Sequence, residues 1–175
     1  MFSSSRIILK QLSFDELKTN YVNWLNDKEV CRYNSHGENT YTIKTAENYI
    51  KSVQNNPLCE VYAVYTKDNN THIGNISLQN IDKKNNSAEI AFLFGEKNYW
   101  NKGYAAEAGK ILIKHAFDDL KLHRLYFGTH SENIAMRKLG EKLGFIKEGV
   151  FKDAQFKNGK YNDILRYGKV YNEIL

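Results

Sequence analysis

Apolar residues recur along this chain at two spacings, and the switches between them mark out its elements. SRIILKQL, residues 5–12, is a short apolar stretch with β-branched residues and reads as a first strand. In SFDEL, Ser13 and Glu16 stand at the capping-box spacing, which predicts a helix that starts there and runs towards Trp24. In TIKTAENYIKSV, Ala46, Tyr49, Ile50 and Val53 fall at helical intervals and predict a second helix. EVYAVYT, HIGNISLQ and AEIAFLF then read as three successive strands, divided by the turn-rich KDNNT and KKNNS. Beyond WNKGYAA, the positions Ala108, Ile111, Leu112, His115 and Ala116 predict a helix of about four turns. RLYFGTH is a further strand, and NIAMRKLGEKLGF a helix closed by Gly144. The tail FKDAQFKNGKYNDILRYGKV places Asn158 and Gly159 between two alternating segments, the strongest hairpin signal in the chain.

That order gives an α/β (α+β) architecture in which helices flank one mixed sheet. With 175 residues the chain is expected to form one domain, 1–175, burying about two-thirds of its unfolded surface. Composition is that of an ordinary globular protein, with 42% hydrophobic and 26% charged residues and a single proline, Pro57. No apolar run approaches the ~20 residues of a membrane span, and the N-terminus does not read as a secretory signal, so the expectation is a cytoplasmic protein that binds no membrane. Cys31 and Cys59 are too few and too far apart for a disulfide framework or a zinc site; both read as thiols, with no metal expected. The net charge of +5 suits an anionic ligand, but the basic residues are interleaved with acids, which argues against a nucleic-acid partner.

The segment WNKGYAA, residues 100–106, lies where a strand gives way to a helix. A helix beginning near Gly103 presents N–H groups without chain partners, and its dipole favours an anion there. Gly103 lets a phosphate approach the backbone, Ala105 is the next smallest choice, and Lys102 adds a cation at the rim.

Taken together, AEIAFLFGEKNYWNKGYAAEAGKILIKHAF followed by NIAMRKLGEKLGFIKEGVF resembles the GNAT superfamily of acetyl-coenzyme A dependent N-acetyltransferases. The likeness extends over nearly the whole chain and is closest to the branch of ribosomal-protein, spermidine and amino-sugar acetyltransferases. It implies a mostly antiparallel central sheet with one splayed strand pair, and acetyl-CoA as the co-substrate. Asn101, Lys102, Gly103, Tyr104, Ala105 and Ala106 would hold its pyrophosphate, although Trp100 stands where the family's loop carries Gln or Arg. The strand end at Phe92, Leu93 and Phe94 would pair its main chain with the pantetheine arm, and N–H groups near Leu93 would meet the oxyanion. The side chains of Phe92 and Phe94 read equally as core. Asn133 matches a residue that bonds the same arm, and reads equally as a helix cap.

Direct attack of an amine on the thioester calls for a general base. Glu89 is the first candidate, on the strand leading to the cofactor and among residues expected to surround it with apolar groups; an exposed acid on a half-buried strand is the other reading. His36, in the polar segment RYNSHGENTY, and His130, closing RLYFGTH, are the other candidates. The family's usual tyrosine general acid falls on Gly140 here, so that source of a proton is excluded and the polyamine reading is weakened.

The acceptor is expected to be a small-molecule amine. YVNWLNDKEVCRYNSHG resembles the early segment of acetyltransferases acting on nucleotide-linked amino sugars. On that reading Trp24 and Tyr33 stack on sugar or base, while Asn26, Asp27 and His36 contact polar groups; Trp24 as core and Asn26–Asp27 as a helix end are the competing readings. A protein N-terminus or a polyamine is the alternative acceptor, and a non-catalytic module binding coenzyme A or RNA the alternative class. The C-terminal strands with YGKVYNEIL are candidate homodimer material.

Overall fold

The computed structural model of the protein describes residues 1–36 and 39–171. Gly37 and Glu38 of the loop segment, and residues 172–175 of the candidate dimer segment, lie outside the described residues. The elements run in the order β1 (Phe2–Ser3), β2 (Ile7–Gln11), α1 (Tyr21–Asn26), α2 (Ile43–Gln54), β3 (Glu60–Thr66), β4 (His72–Asp82), β5 (Ser87–Phe94), α3 (Tyr104–Lys114), β6 (Arg124–His130), α4 (Ile134–Lys142), β7 (Ile146–Lys157) and β8 (Lys160–Val170).

All eight strands form one sheet in the order β1-β2-β3-β4-β5-β6-β8-β7. Neighbours pair antiparallel except β5 with β6, whose parallel arrangement requires a crossover that α3 supplies. That parallel ladder is short: Ser87, Ala88 and Glu89 pair with Arg124, Leu125 and Tyr126, and no pairing continues beyond. β5 goes on to Phe94 held only by β4, and β6 goes on to His130 held only by β8. The two strands therefore splay into a cleft whose vertex is Glu89.

Side-chain alternation distributes the core over both sheet faces. On one face Ile7, Leu9, Val64, Ile76, Leu78 and Ile90 pack with Ala108 and Leu112 of α3. On the other, Val61, Ala63 and Tyr65 pack with Trp24 and Leu25 of α1 and Ala46 and Ile50 of α2. Along β5, Ile90, Phe92 and Phe94 belong to the α3 side and Leu93 to the α1 side.

The predicted helix from Ser13 to Trp24 is instead a 3-10 turn, Phe14–Lys18, followed by α1. The capping box of Ser13 and Glu16 is present, but Thr19 is extended and its hydroxyl donates to the Glu16 carbonyl at 2.7 Å, ending the turn. Glu16 itself is buried, accepting a hydrogen bond from the Tyr65 hydroxyl at 2.7 Å, so tertiary contact overrides local helix extension. The helix predicted after WNKGYAA runs as α3 and continues through a π-helical turn at His115–Asp119. The hairpin forms as expected: Asn158 (φ 54°) and Gly159 (φ 75°) make a two-residue turn between β7 and β8. No described helix is long and apolar enough to cross a membrane.

Candidate active site

The cleft between the splayed strands has a volume of about 620 Å³ and is lined by β5, the turn after α1, the loop into α3, β6 and one face of α4. Its construction begins with the β5 edge. Residues 90–94 keep their β4 ladder but have no strand on the other side, so alternate N–H and C=O groups face the cleft.

The loop after β5 supplies the second element. Trp100, the departure from the family pattern, donates its Nε1–H to the Phe94 carbonyl at 2.8 Å and fastens the loop to the strand end. Asn101 (φ 59°) and Gly103 (φ 86°) then turn the chain through the left-handed region into α3. A β-carbon at Gly103 would be strained by its φ alone. Arg6 braces this turn from the N-terminal strand region, donating to the Lys102 carbonyl at 3.1 Å and pairing with Glu107 in the first turn of α3 at 2.5 Å. The N–H groups of residues 101–106 find no partner among the described residues, although Glu107 N–H returns to the Gly103 carbonyl. They therefore form a helix N-terminus at the cleft whose donors and dipole suit an anion. Gly103, Tyr104, Ala105, Ala106 and Asn101 line it, while Lys102 contributes its carbonyl to Arg6.

Phe92, Leu93 and Phe94 all line the cleft, and the two phenylalanines also pack on the core, as their core reading expects. Asn133 also lines the cleft, and its Oδ1 caps α4 by accepting from Met136 N–H at 3.1 Å, which is the helix-cap reading. Gly140 is buried beneath Phe127, and an added β-carbon there would fall on the phenyl ring. Phe127, stacked on Tyr167 at 4.8 Å, thus takes the volume a side chain at 140 would need. The wall at that point is apolar and offers no proton.

Glu89 sits at the vertex and lines the cleft, with 29% of its side chain exposed. The expected apolar surroundings are not what the structure provides: Asn80 donates to its Oε2 at 3.1 Å, and the Arg166 guanidinium stands 4.0 Å from its Oε1. Arg166 reaches across β6 because Gly128 has no side chain in its path. A carboxylate so held can accept a proton from a bound group directly or through water.

The structure does not bring the two histidines to the cleft lining. His130 is buried behind Tyr33, ring centroids 5.2 Å apart, and its Nδ1 accepts from Glu132 N–H at 3.1 Å. His36 is held by Tyr41, Nδ1 to hydroxyl 2.8 Å, and burial with a secondary push from Lys157 lowers its pKa below 6.5.

Three of the expected acceptor contacts are already engaged inside the protein. Trp24 is 3% exposed, packs on His72 at 4.6 Å and donates to Glu96 at 3.1 Å, so its ring has no free face for stacking on a sugar. Asn26 donates to the Val22 and Tyr41 carbonyls and accepts from Tyr41 N–H, clamping the chain to α1. Asp27 caps the turn after α1 and bonds Lys97 at 2.8 Å, which holds its carboxyl below the usual range. These are the core and helix-end readings of Trp24, Asn26 and Asp27. Tyr33 does line the cleft.

Several cleft residues carried no signal in the sequence. Glu29, Val30 and Asn34 arrive with the turn, and Thr129 with β6. Lys138 and Lys142 line the far end from α4, and their four-residue spacing was a readable clue to a shared helix face. Among the described residues no group of three or more His, Cys, Asp and Glu is clustered to hold a metal ion.

Comparison with known proteins adds to this geometry. Residues 6–146 match the model of the acetyltransferase (GNAT) domain. The uncharacterized N-acetyltransferase p20 of Bacillus licheniformis is 27% identical over 173 residues, covering 97% of this chain and 96% of that protein. The ribosomal-protein-serine acetyltransferase of Escherichia coli is 27% identical over 134 residues, 73% of each chain. In fold, the chain resembles the crystal structure of spermidine N-acetyltransferase from Vibrio cholerae in complex with CoA and spermine, with a TM-score of 0.86 at 23% identity over 95% of this chain and 96% of that one. Since the family model matches most of the sequence, this chain belongs to the GNAT family of N-acetyltransferases.

Proposed function

We propose that this chain moves the acetyl group of acetyl-CoA onto the N-terminal amino group of a polypeptide, and that Glu89 is the general base. The observation that carries the acceptor is the charge at its end of the cleft. Among the described residues two carboxylates line it, Glu89 and Glu29, and Glu29 is already paired with Lys97 at 2.6 Å. One cationic amine is matched there; a polyamine, with its several charges, is not. The β6 edge at 127–130 lacks a partner on the cleft side, which suits the extended main chain of a peptide. Related proteins are named for acetylation of ribosomal proteins and of spermidine, and three of the side chains expected to bind a nucleotide-linked sugar, Trp24, Asn26 and Asp27, are engaged elsewhere.

In this reading the N–H groups of 101–106 bind the pyrophosphate, and the free β5 edge aligns the pantetheine arm. The free N–H groups of 90–94 meet the carbonyl oxygen as charge builds on it. Glu89 takes a proton from the bound ammonium, the neutral nitrogen so formed bonds the carbonyl carbon, and the second proton it sheds passes to water as the C–S bond breaks. The apolar wall of Phe127 leaves protonation of the departing thiolate to water.

Thiol release from acetyl-CoA, followed over N-terminal peptides, spermidine and 4-amino-sugar nucleotides, tests the proposal. Turnover on peptides is the expected result. Turnover on spermidine or a sugar nucleotide alone would replace the acceptor, and silence on every amine would overturn the transfer.

A further inference from the structure

The turn after α1 forms the acceptor wall of the cleft through Glu29, Val30, Tyr33 and Asn34. Its start is fixed locally, because Asp27 Oδ1 accepts from the N–H groups of Glu29 at 2.8 Å and Val30 at 3.1 Å while Oδ2 meets Lys97. Its far end is fixed by a residue from the opposite end of the chain. Lys157, the last residue of β7, is 5% exposed. Its ammonium donates to the Cys31 carbonyl at 2.9 Å and to the Asn34 carbonyl.

Both partners are backbone carbonyls rather than carboxylates. Two carbonyl dipoles converging on one buried point repel each other unless a donor or cation stands between them, and a buried ammonium is costly unless its protons are met. Each side therefore requires the other. The position of Lys157 is set by the hairpin and not by the turn it grips: Asn158 and Gly159 fix the reversal, and Asn162 Nδ2 donates to the Lys160 carbonyl at 3.0 Å and the Lys157 carbonyl at 3.4 Å. A further tie, Lys160 to Glu132 at 2.9 Å, anchors the same tip beside the end of β6.

We infer that Lys157 is a positioning residue for the acceptor: it holds Asn34 and the neighbouring Tyr33 against the cleft and so sets how an amine is presented to Glu89. The kinetic part of this inference rests on the acyl-transfer reading above; the structural part does not. Lys157→Met keeps the length and removes the donors, and Lys157→Arg keeps charge and donors.

Three quantities are to be measured in the full-length protein: amide hydrogen exchange over residues 27–36, CoA affinity by calorimetry, and steady-state kinetics with acetyl-CoA and an N-terminal peptide. In Lys157→Met, exchange over 28–36 rises ~10-fold or more, peptide KM rises ~10-fold, kcat changes less than ~3-fold and CoA affinity is unchanged. Lys157→Arg recovers most of both losses. Unchanged exchange and KM in Lys157→Met would overturn the inference, as would a parallel loss of CoA affinity, which marks a general loss of structure. Should the Met variant fail to fold, Lys157→Gln, which retains a shorter donor, is read against the same outcomes. A wild-type protein that acetylates no amine would sink the transfer reading alone, and the exchange result would still decide the role of Lys157.

Discussion

The two halves of the cleft are built by opposite means. The half proposed to hold the cofactor is made of main chain: the free edge of β5, a left-handed turn at Asn101 and Gly103, and the N–H groups opening α3, all within one continuous stretch of sequence. The half proposed to take the acceptor is made of side chains on a turn, held by Lys97 from beyond β5 and Lys157 from the hairpin tip. Backbone geometry tolerates sequence change so long as the turn survives, whereas a wall held by distant lysines changes with any of its supports. One fold can thus keep its cofactor while exchanging acceptors.

Substitution can break this contrast at its strongest point. Gly103→Val places a β-branched side chain at φ 86° and should weaken CoA binding by more than ~10²-fold in calorimetry, with no new contact able to compensate. Unchanged affinity would mean that the anion binds elsewhere. Next in size, Glu89→Gln should lower kcat by ~10²-fold while CoA affinity stays as it was, since the residue belongs to the junction of the halves and not to either. A variant retaining full turnover would remove Glu89 as the base.

Trp100→Phe should have a smaller effect. It deletes one hydrogen bond to the Phe94 carbonyl, about 1 kcal/mol, and should weaken CoA roughly 5-fold without altering the peptide KM. An effect on the peptide alone would reverse the division between the halves.

The weakest expected effect is on pH. Burial is the first cause that lowers the pKa of both His36 and His72 below 6.5. The unfolded chain takes up protons near 6.5 while the folded chain stays neutral to lower pH, so their contribution to stability is complete above 6.5 and is lost as pH falls through the folded values. Tm should accordingly decline as pH falls below about 6.5, and His36→Gln should flatten part of that decline. An unaltered slope in the variant would show that His36 is not among the groups responsible.

Local pattern was enough to read most of this fold. Strands with clear alternation, the Asn158–Gly159 turn and the Gly103 helix start all depend on neighbours in sequence, and each is present. The helix expected from Ser13 failed because Glu16 is drawn into the core by Tyr65, a partner forty-nine positions away. The same limit applied to the site. The backbone turn from Asn101 to Ala106 is legible because it rests on main chain, whereas the sequence leaves Trp24 open between a stacking platform and core, and only its distant contacts with His72 and Glu96 decide for core. Nothing near Glu89 in sequence announced Arg166, and nothing near Tyr33 announced Lys157.

The short ladder between β5 and β6 has a consequence for how the molecule opens. One stack of strands, β1 to β5, and another, β6 to β8, are joined in the sheet by the pairing of Ser87–Glu89 with Arg124–Tyr126, with the α3 connection, the packing around it and the Glu89–Arg166 contact beside that ladder. Such stacks can exchange their amides as separate cooperative units, and a molecule lying along both arms of the cleft would make them one, tying the sheet's thermal stability to the concentration of its cofactor.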